Sequence, residues 1–297
     1  MTAHHHAMRL QNQVILITGS TTGIGAAMAR RFVAEGARVI LHGRDTARGE
    51  KLREELGAEN TAFIAGDLAD ENHPAQLAAA ALECFGRIDA LVNNAALATR
   101  AHIADTDTAF FDRLLAVNLR APFMLIRALL PALKETHGCV LNIGSVLAHC
   151  GQSNLAAYSI SKGGLMTLTR NLADTLGPDR VRVNQMNVGW TLTDNEYQTK
   201  LSDGLRPDWP ETLPPYAVPS GSLLMPEDIA EAALYWVSPA SRPISGTVFD
   251  AEQYPMIGRL PNQENQEATM PREWVAKELN GTAPSIRLPS KVANRTS

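Results

Sequence analysis

Val14-Ile15-Leu16-Ile17 runs without a polar break into Thr18-Gly19-Ser20-Thr21-Thr22-Gly23-Ile24-Gly25, and a helical pattern follows at once. A continuous apolar run of this length suits a strand buried on both faces of a parallel sheet. Ile24, Met28 and Phe32 then recur at i, i+4 and i+8, and Gly36 marks the stop. A strand, a glycine-rich turn and a helix, in that order, allow backbone to approach a pyrophosphate whose charge is met by the helix N-terminus. The spacing is G-x-x-x-G-x-G rather than G-x-G-x-x-G, and such a turn also serves as a plain strand–helix connection.

The alternation continues down the chain. Arg38–His42, Ala62–Ala65, Ala90–Val92, Cys139–Ile143, Val181–Met186 and Gly246–Phe249 read as further strands, with helical patterns between them. Strands alternating with helices six or seven times predict an α/β fold: one doubly wound parallel sheet of seven strands, flanked by helices, with ligands at the strands' carboxyl edge. Polar or small residues gather at that edge. The second strand ends in Gly43-Arg44-Asp45; an arginine there suits the 2′-phosphate of NADP, an acidic residue the ribose of NAD. Arg44 favours NADP(H), with NAD(H) as the alternative if Asp45 is the reader and Arg44 a solvated charge. Asp67-Leu68 follows the third strand, where Asp67 is a ligand-edge residue or a helix cap. Asn93-Asn94-Ala95-Ala96 follows the fourth and allows close approach of a cofactor.

Asn118 falls inside a long helical region and is a mildly poor helix former, so it marks a special role or a kink. Ser145 ends the fifth strand, as a hydroxyl donor or a turn cap. Thirteen residues later comes Tyr158-Ser159-Ile160-Ser161-Lys162. In a helix, Tyr158 and Lys162 lie one turn apart on one face. A phenol titrates near ~10, so a tyrosine working near neutrality needs about 3 units, or ~4 kcal/mol, of help. An exposed lysine supplies less than about 1 kcal/mol. The pair therefore makes chemical sense only in a desolvated site with further positive charge.

A net charge of −4 argues against non-specific nucleic-acid or membrane binding, and no run of eighteen apolar residues predicts a transmembrane helix. Cys84, Cys139 and Cys150 are odd in number without metal-type spacing, which predicts reduced thiols in a cytoplasmic protein and no metal site. His4-His5-His6 lies in a polar leader, 1–10.

Taken together, Thr18-Gly19-x-x-x-Gly23-Ile24-Gly25, Asp67, Asn93-Asn94-Ala95, Asn118, Ser145, Tyr158-x-x-x-Lys162 and Gly189 with Thr191 resemble the NAD(P)-dependent short-chain dehydrogenase/reductase family, from about Gln11 to Asp250. The resemblance implies a single Rossmann-type domain over 11–255 assembled as a homotetramer. It implies an oxidoreductase moving hydride between NADP(H) or NAD(H) and the CH–OH/C=O group of a small molecule. Tyr158 would be the general acid in reduction and the base in oxidation. Lys162 would lower its pKa and bind the nicotinamide ribose, Ser145 would donate to the substrate oxygen, and Asn118 would hold a water linking Lys162 to solvent. Cofactor contacts would come from Thr18, Gly19, Ser20, Thr22, Gly23, Ile24, Gly25, Arg44, Asp67, Leu68, Asn94, Ala95, Tyr158, Lys162, Gly189 and Thr191. Three positions depart from the pattern: Ala96 replaces a glycine, Val188 a proline, and Asp250-Ala251-Glu252 an Asp-Gly-Gly.

Substrate choice is expected from the loop after Ser145 (Val146, Leu147, Asn154) and from 190–225, which carries Trp190, Tyr197 and Trp209. Aromatics beside amides suit a sugar or polyol, although the same rings can close a lid instead. A 3-oxoacyl thioester is the alternative substrate, and a non-catalytic NADP(H) sensor on the same scaffold is the alternative class. Beyond 255 an extension, 256–297, carries a short helical pattern at Pro271–Leu279 and then a tail expected to be flexible.

Overall fold

A computed structural model describes residues 8–255; the leader histidines and the expected helix at Pro271–Leu279 lie outside the described residues. Seven strands form one parallel sheet in the order β3-β2-β1-β4-β5-β6-β7. They are β1 Val14–Ile17, β2 Arg38–Gly43, β3 Thr61–Ala65, β4 Ala90–Asn93, β5 Cys139–Ser145, β6 Arg182–Val188 and β7 Val248–Ala251. The helices are α1 Gly23–Ala34, α2 Thr46–Leu56, α3 His73–Phe85, α4 Thr108–Leu115, α5 Ala121–Thr136, α6 Ala156–Leu176, α7 Asp194–Ser202 and α8 Pro226–Val237. The doubly wound, seven-stranded parallel sheet read from the sequence is the fold observed.

Strand alternation builds a core on each face. Ile15 and Ile17 pack with Phe32 of α1, Leu52 of α2 and Leu234 of α8. Val14 and Leu16 point the other way, against Leu77 of α3, Leu129 of α5 and Leu176 of α6. Each β1 side chain is fully buried, as a strand covered on both faces requires. The sheet's order reverses direction between β1 and β4, and this opens the crevice in which a ligand can lie.

Two elements differ from expectation. β7 begins at Val248 rather than Gly246, because Gly246 has φ +79 and turns the chain into the sheet. The long helix is interrupted: α4 and α5 are joined by a π-bulge over Ala116–Arg120, and Asn118 sits within it. The whole run, Thr108–Thr136, is 29 residues and apolar enough by composition to cross a membrane, but half of its most apolar stretch is buried in this protein. Leu125, Ile126, Leu129 and Leu133 all pack into the core, so it reads as a core helix.

A chain of buried polar groups crosses the sheet under α6. Asn93 donates to Asn142 (2.8 Å), Asn142 to Thr169 (2.8 Å), Thr169 to Gln185 (3.1 Å), Gln185 to Asn187 (2.7 Å) and Asn187 to the Asp250 carboxylate (3.0 Å). Asn93, Asn142 and Gln185 are register partners on three neighbouring strands, and Gly144, Asn187 and Asp250 form the next row. A Cβ on Gly144 would come within 2.2 Å of Asn187 Oδ1, so the network occupies the space a side chain there would need.

Residues 190–225 form a lid with its own small core. Trp209, Val218 and Leu223 are buried, with Trp190, Leu192, Tyr197, Leu201 and Leu213 packed on them.

Candidate active site

The glycine turn lies at the carboxyl end of β1. Gly19 and Gly23 have φ +62 and +53, which only glycine adopts freely. A Cβ at Gly25 would lie 2.3 Å from the Gly19 carbonyl and 2.6 Å from the Asn94 amide, so α1 must present bare backbone here. Thr22 flanks the start of α1 in an extended conformation and its side chain does not cap the helix. The first amides of α1 are thus left for an anion. Thr18 ties the turn to β4: its Oγ1 accepts from the amides of Asn94 (3.0 Å) and Ala95 (3.1 Å). The Asn94 amide in turn donates to the carbonyls of Thr18 and Gly19, 2.9 Å each. Asn94 therefore braces the turn. Ile24 packs against the core under α1. Ser20 differs from expectation: it is fully buried, and its amide and hydroxyl both pair with the backbone of His42. It shapes the turn from inside.

At the next strand end, Arg44 is exposed immediately after β2. Asp45 caps α2 through the Arg48 amide (3.0 Å) and pairs with the Arg48 guanidinium, so it is the helix cap rather than a reader of ribose. Asp67 accepts from the Ala69 amide (2.9 Å) and from Arg113 (2.9 Å). Burial pushes this carboxyl up, but those bonds and the charges of Arg113 and Arg44 outweigh it and hold it below its usual value. Asp67 does not cap α3, which starts at His73; Leu68 is buried in the core. Beneath this edge His42 and His73 meet through their Nε2 atoms at 3.1 Å, and burial lowers His42 to about 4.

The groups with chemistry gather at the ends of β5 and α6. Ser145 Oγ accepts from the Leu147 amide (3.2 Å), as a turn cap would, and also hydrogen-bonds Tyr158. The turn-cap reading of Ser145 is seen directly, and the bond to Tyr158 places its hydroxyl beside that phenol. Tyr158 lies in the first turn of α6, and Lys162 one turn on is 2 % exposed. Lys162 Nζ donates to the Ile143 carbonyl at 2.7 Å and lies 5.6 Å from the centre of the Tyr158 ring. Burial lowers Lys162 to about 8. Burial raises Tyr158 above its usual value, the Ser145 bond opposes this, and the charge of Glu196 adds to it. Asn118 closes a two-way pair with the backbone of Leu97 (2.8 and 2.9 Å) and reaches Ser161 Oγ at 3.1 Å. Its side chain is fully engaged, so only the bulge's main chain is left to hold a water.

The wall opposite is Gly189-Trp190-Thr191. A Cβ on Gly189 would meet the Glu252 carboxylate at 2.1 Å, and Glu252 accepts from the Trp190 amide (2.9 Å). Thr191 is buried and donates to the Gly189 carbonyl. Ala96, in place of the expected glycine, is not among the described residues with positive φ, so no strain arises there.

Val146 and Leu147 form a short 3-10 turn after Ser145. Asn154 holds the Ala101 amide through its carbonyl (2.9 Å), while its Oδ1 is buried without a partner. Trp190 and Tyr197 turn away from the expectation of open stacking faces. Trp190 stacks on Trp209 at 5.6 Å, Tyr197 stacks on Trp209 at 6.3 Å, and the Tyr197 hydroxyl donates to the Pro207 carbonyl. These rings build the lid's own core, the alternative the sequence left open. Among the described residues no cluster has the makings of a metal site, and the three cysteines are free.

Sequence reasoning missed Glu196 and Arg100. Glu196 of α7 accepts from the Trp190 indole (2.9 Å) and pairs with Arg100 (3.8 Å) and Lys200 (3.7 Å); Arg100 also pairs with Asp203. They link the loop after β4 to the lid, across the mouth above Tyr158. No local pattern announces a contact between positions so far apart.

Comparison with known proteins gives a consistent picture. Residues 19–252 match a family model described as enoyl-(acyl carrier protein) reductase. The chain is 35% identical over 236 residues to L-fucose dehydrogenase of Mus musculus, covering 78% of this chain and 85% of that protein. It resembles the 3-ketoacyl-(acyl-carrier-protein) reductase of Brucella melitensis complexed with NADH, at TM-score 0.72 and 33% identity, covering 82% and 97% of the two chains. It also resembles L-sorbose reductase from Gluconobacter frateurii complexed with NADPH and L-sorbose, at TM-score 0.79 and 25% identity, covering 86% and 100%.

Proposed function

The chain belongs to the NAD(P)-dependent short-chain dehydrogenase/reductase family and is an NAD(P)-dependent oxidoreductase of small hydroxy and oxo compounds; on that premise we propose that its substrate is a neutral sugar or polyol and its cofactor NADP(H). The observation that carries the chemistry is the Tyr158–Ser145 pair beside buried Lys162. The residues fit the cofactor. The bare glycine cradle and the uncapped start of α1 take the pyrophosphate, Arg44 the 2′-phosphate, and Lys162 with Gly189 and Thr191 the nicotinamide end. A nicotinamide held there would supply the hydride chemistry between the carbinol and carbonyl carbons.

The chain's own groups handle the proton. Ser145 Oγ and the Tyr158 hydroxyl flank the substrate oxygen; Ser145 donates to it as charge develops, and Tyr158 takes its proton in oxidation or gives one in reduction. A tyrosine raised by burial is a poor base, so Lys162 and the positive charge of the oxidised cofactor must act together to lower it. The relay from Lys162 to solvent passes the main chain of the π-bulge at Asn118, since that side chain is engaged.

The polyol reading draws support from the Mus musculus L-fucose dehydrogenase and the Gluconobacter frateurii L-sorbose reductase, and from the polar groups Glu196 and Arg100 beside the lid. A 3-oxoacyl thioester is the second reading, favoured by the Brucella melitensis relative. A panel of polyols, sugars, simple alcohols and 3-oxoacyl thioesters, followed by nicotinamide absorbance with both cofactors, tests this; turnover of thioesters alone would replace the first reading by the second. We place the protein in the cytoplasm, on the strength of its three free thiols. We assemble it as a homotetramer through the apolar groove of Leu115, Leu119, Phe123 and Leu168, where Phe123 is 44 % exposed.

A further inference from the structure

We propose that Glu196, on lid helix α7, reads a second hydroxyl of the substrate and so selects vicinal diols over simple alcohols and thioesters. This rests on the polyol reading above and names the residue that would enforce it.

Glu196 stands where such a reader must stand. Its charge reaches the Tyr158 hydroxyl, and its neighbour Trp190 follows directly on Gly189 at the nicotinamide wall. Arg100 is fixed on the facing side, because the Ala101 amide binds the Asn154 carbonyl and Ala101 bridges Leu155, at the start of the helix that carries Tyr158.

The two oxygens of Glu196 are not equivalent. Trp190 Nε1, Arg100 and Lys200 all converge on Oε1, at 2.9, 3.8 and 3.7 Å. Among the described residues Oε2 has no hydrogen-bond partner, while the side chain is about a quarter exposed. One oxygen is therefore anchored by an indole and two cations, and the other is an acceptor without a donor among the described residues.

Unmatched acceptors call for donors. A polyol carries an O–H donor on the carbon next to the reacting carbinol, and a hydrogen bond from a hydroxyl to a carboxylate is among the stronger ones. A 3-oxoacyl thioester carries only a methylene next to the reacting ketone, with a carbonyl and a sulfur on the carbon beyond it. Both are acceptors, so it would leave Oε2 unmatched and set lone pairs against a carboxylate. A simple alcohol offers nothing there.

The test uses the full-length enzyme and two alcohols with the same reacting centre, butane-2,3-diol and butan-2-ol, with wild type, Glu196→Gln and Glu196→Ala. Wild type should prefer the diol by about tenfold or more in kcat/KM, the size of one hydrogen bond to a charged group. Glu196→Ala should bring the ratio close to one, and Glu196→Gln, which keeps the shape and an acceptor for Trp190, should fall between. Glu196→Gln should also move the rising, low-pH limb of the oxidation profile to lower pH, because a negative charge near the phenol that serves as base is removed. A Glu196→Ala enzyme that keeps the wild-type ratio overturns the inference. So does one that loses both alcohols equally while still binding NADPH, which would mark a merely structural lid residue. Wild type that oxidises butan-2-ol without diol preference overturns the inference and leaves the oxidoreductase assignment standing. If no polyol of the wider panel is turned over while thioesters are, the polyol reading itself falls.

Discussion

Lys162 gives its ammonium to the main-chain carbonyl of Ile143, 2.7 Å away in the middle of β5, and is thereby held 2 % exposed beneath Tyr158. One hydrogen bond to a carbonyl does not replace full hydration, and burial lowers the lysine from 10.5 to about 8. The folded protein binds this proton less tightly than the unfolded chain does. The penalty is fully present below pH 8, and stability contributed by this group rises as pH goes from about 8 to 10.5. The shift corresponds to roughly 3 kcal/mol.

Lys162→Met should therefore raise the thermal midpoint of the cofactor-free protein at pH 7, and the gain should shrink towards pH 10, while turnover falls by about two orders of magnitude or more. Calorimetry across that pH range decides it. A variant that is destabilised equally at both ends would show that the lysine sits at no cost.

Tyr158 titrates above its usual value without cofactor, from burial first, and its hydroxyl must come down before it can serve as a base. Phenolate absorbance, taken as the difference between wild type and Tyr158→Phe, should show a lower apparent pKa in the oxidised-cofactor complex than in the free protein. Equal values would remove the cofactor's charge from the account. Tyr158→Phe should cut kcat by about 10²- to 10⁴-fold with cofactor affinity intact.

Arg44 is an exposed cation at the end of β2 whose charge reaches Asp67, while Asp45 is committed to capping α2. Arg44→Ser should raise KM for NADPH by about 10- to 100-fold, the size of a charged hydrogen bond to phosphate, and leave NADH within about twofold. Steady-state kinetics with both cofactors reads this out. A parallel change in both would shift the preference elsewhere in the site.

Phe123 and the groove of Leu115, Leu119 and Leu168 form an apolar strip on α4, α5 and α6. Light scattering should find wild type as a tetramer and Phe123→Asp as a smaller species, because a carboxylate in a desolvated contact lacks a partner. A tetramer that survives the change would assign assembly to another face.

The alternation of strands and helices, the glycine turn and the positions of Ser145, Tyr158 and Lys162 were legible because each leaves a local mark. Apolar runs, a glycine with nothing beside it and an i,i+4 pair are patterns of neighbours. What escaped depends on distant chain. Glu196 meets Arg100 only after two loops are brought over one mouth, and nothing in Asp194-Asn195-Glu196 sets this glutamate apart. Trp190 and Tyr197 were visible as aromatics, but their use is set by Trp209, with which they stack. Asn118 was legible as a break in its helix, but that the break takes the form of a π-bulge was not. Gly246 moved the last strand by two residues through its positive φ.

The polar chain from Asn93 to Asp250 bears on how the sheet finds its alignment. Parallel strands made of valine, isoleucine and leucine have a two-residue periodicity, and a slip of two would keep every apolar face covered. Such a slip of β5 would part Asn142 from both Asn93 and Gln185, and move Gly144 away from the crowded side chain of Asn187. Several amides would then be sealed away from water without partners, at about 1–3 kcal/mol each. The network works as a key cut for a single alignment, and it holds Ser145, one residue past Gly144, at the height where Tyr158 meets it.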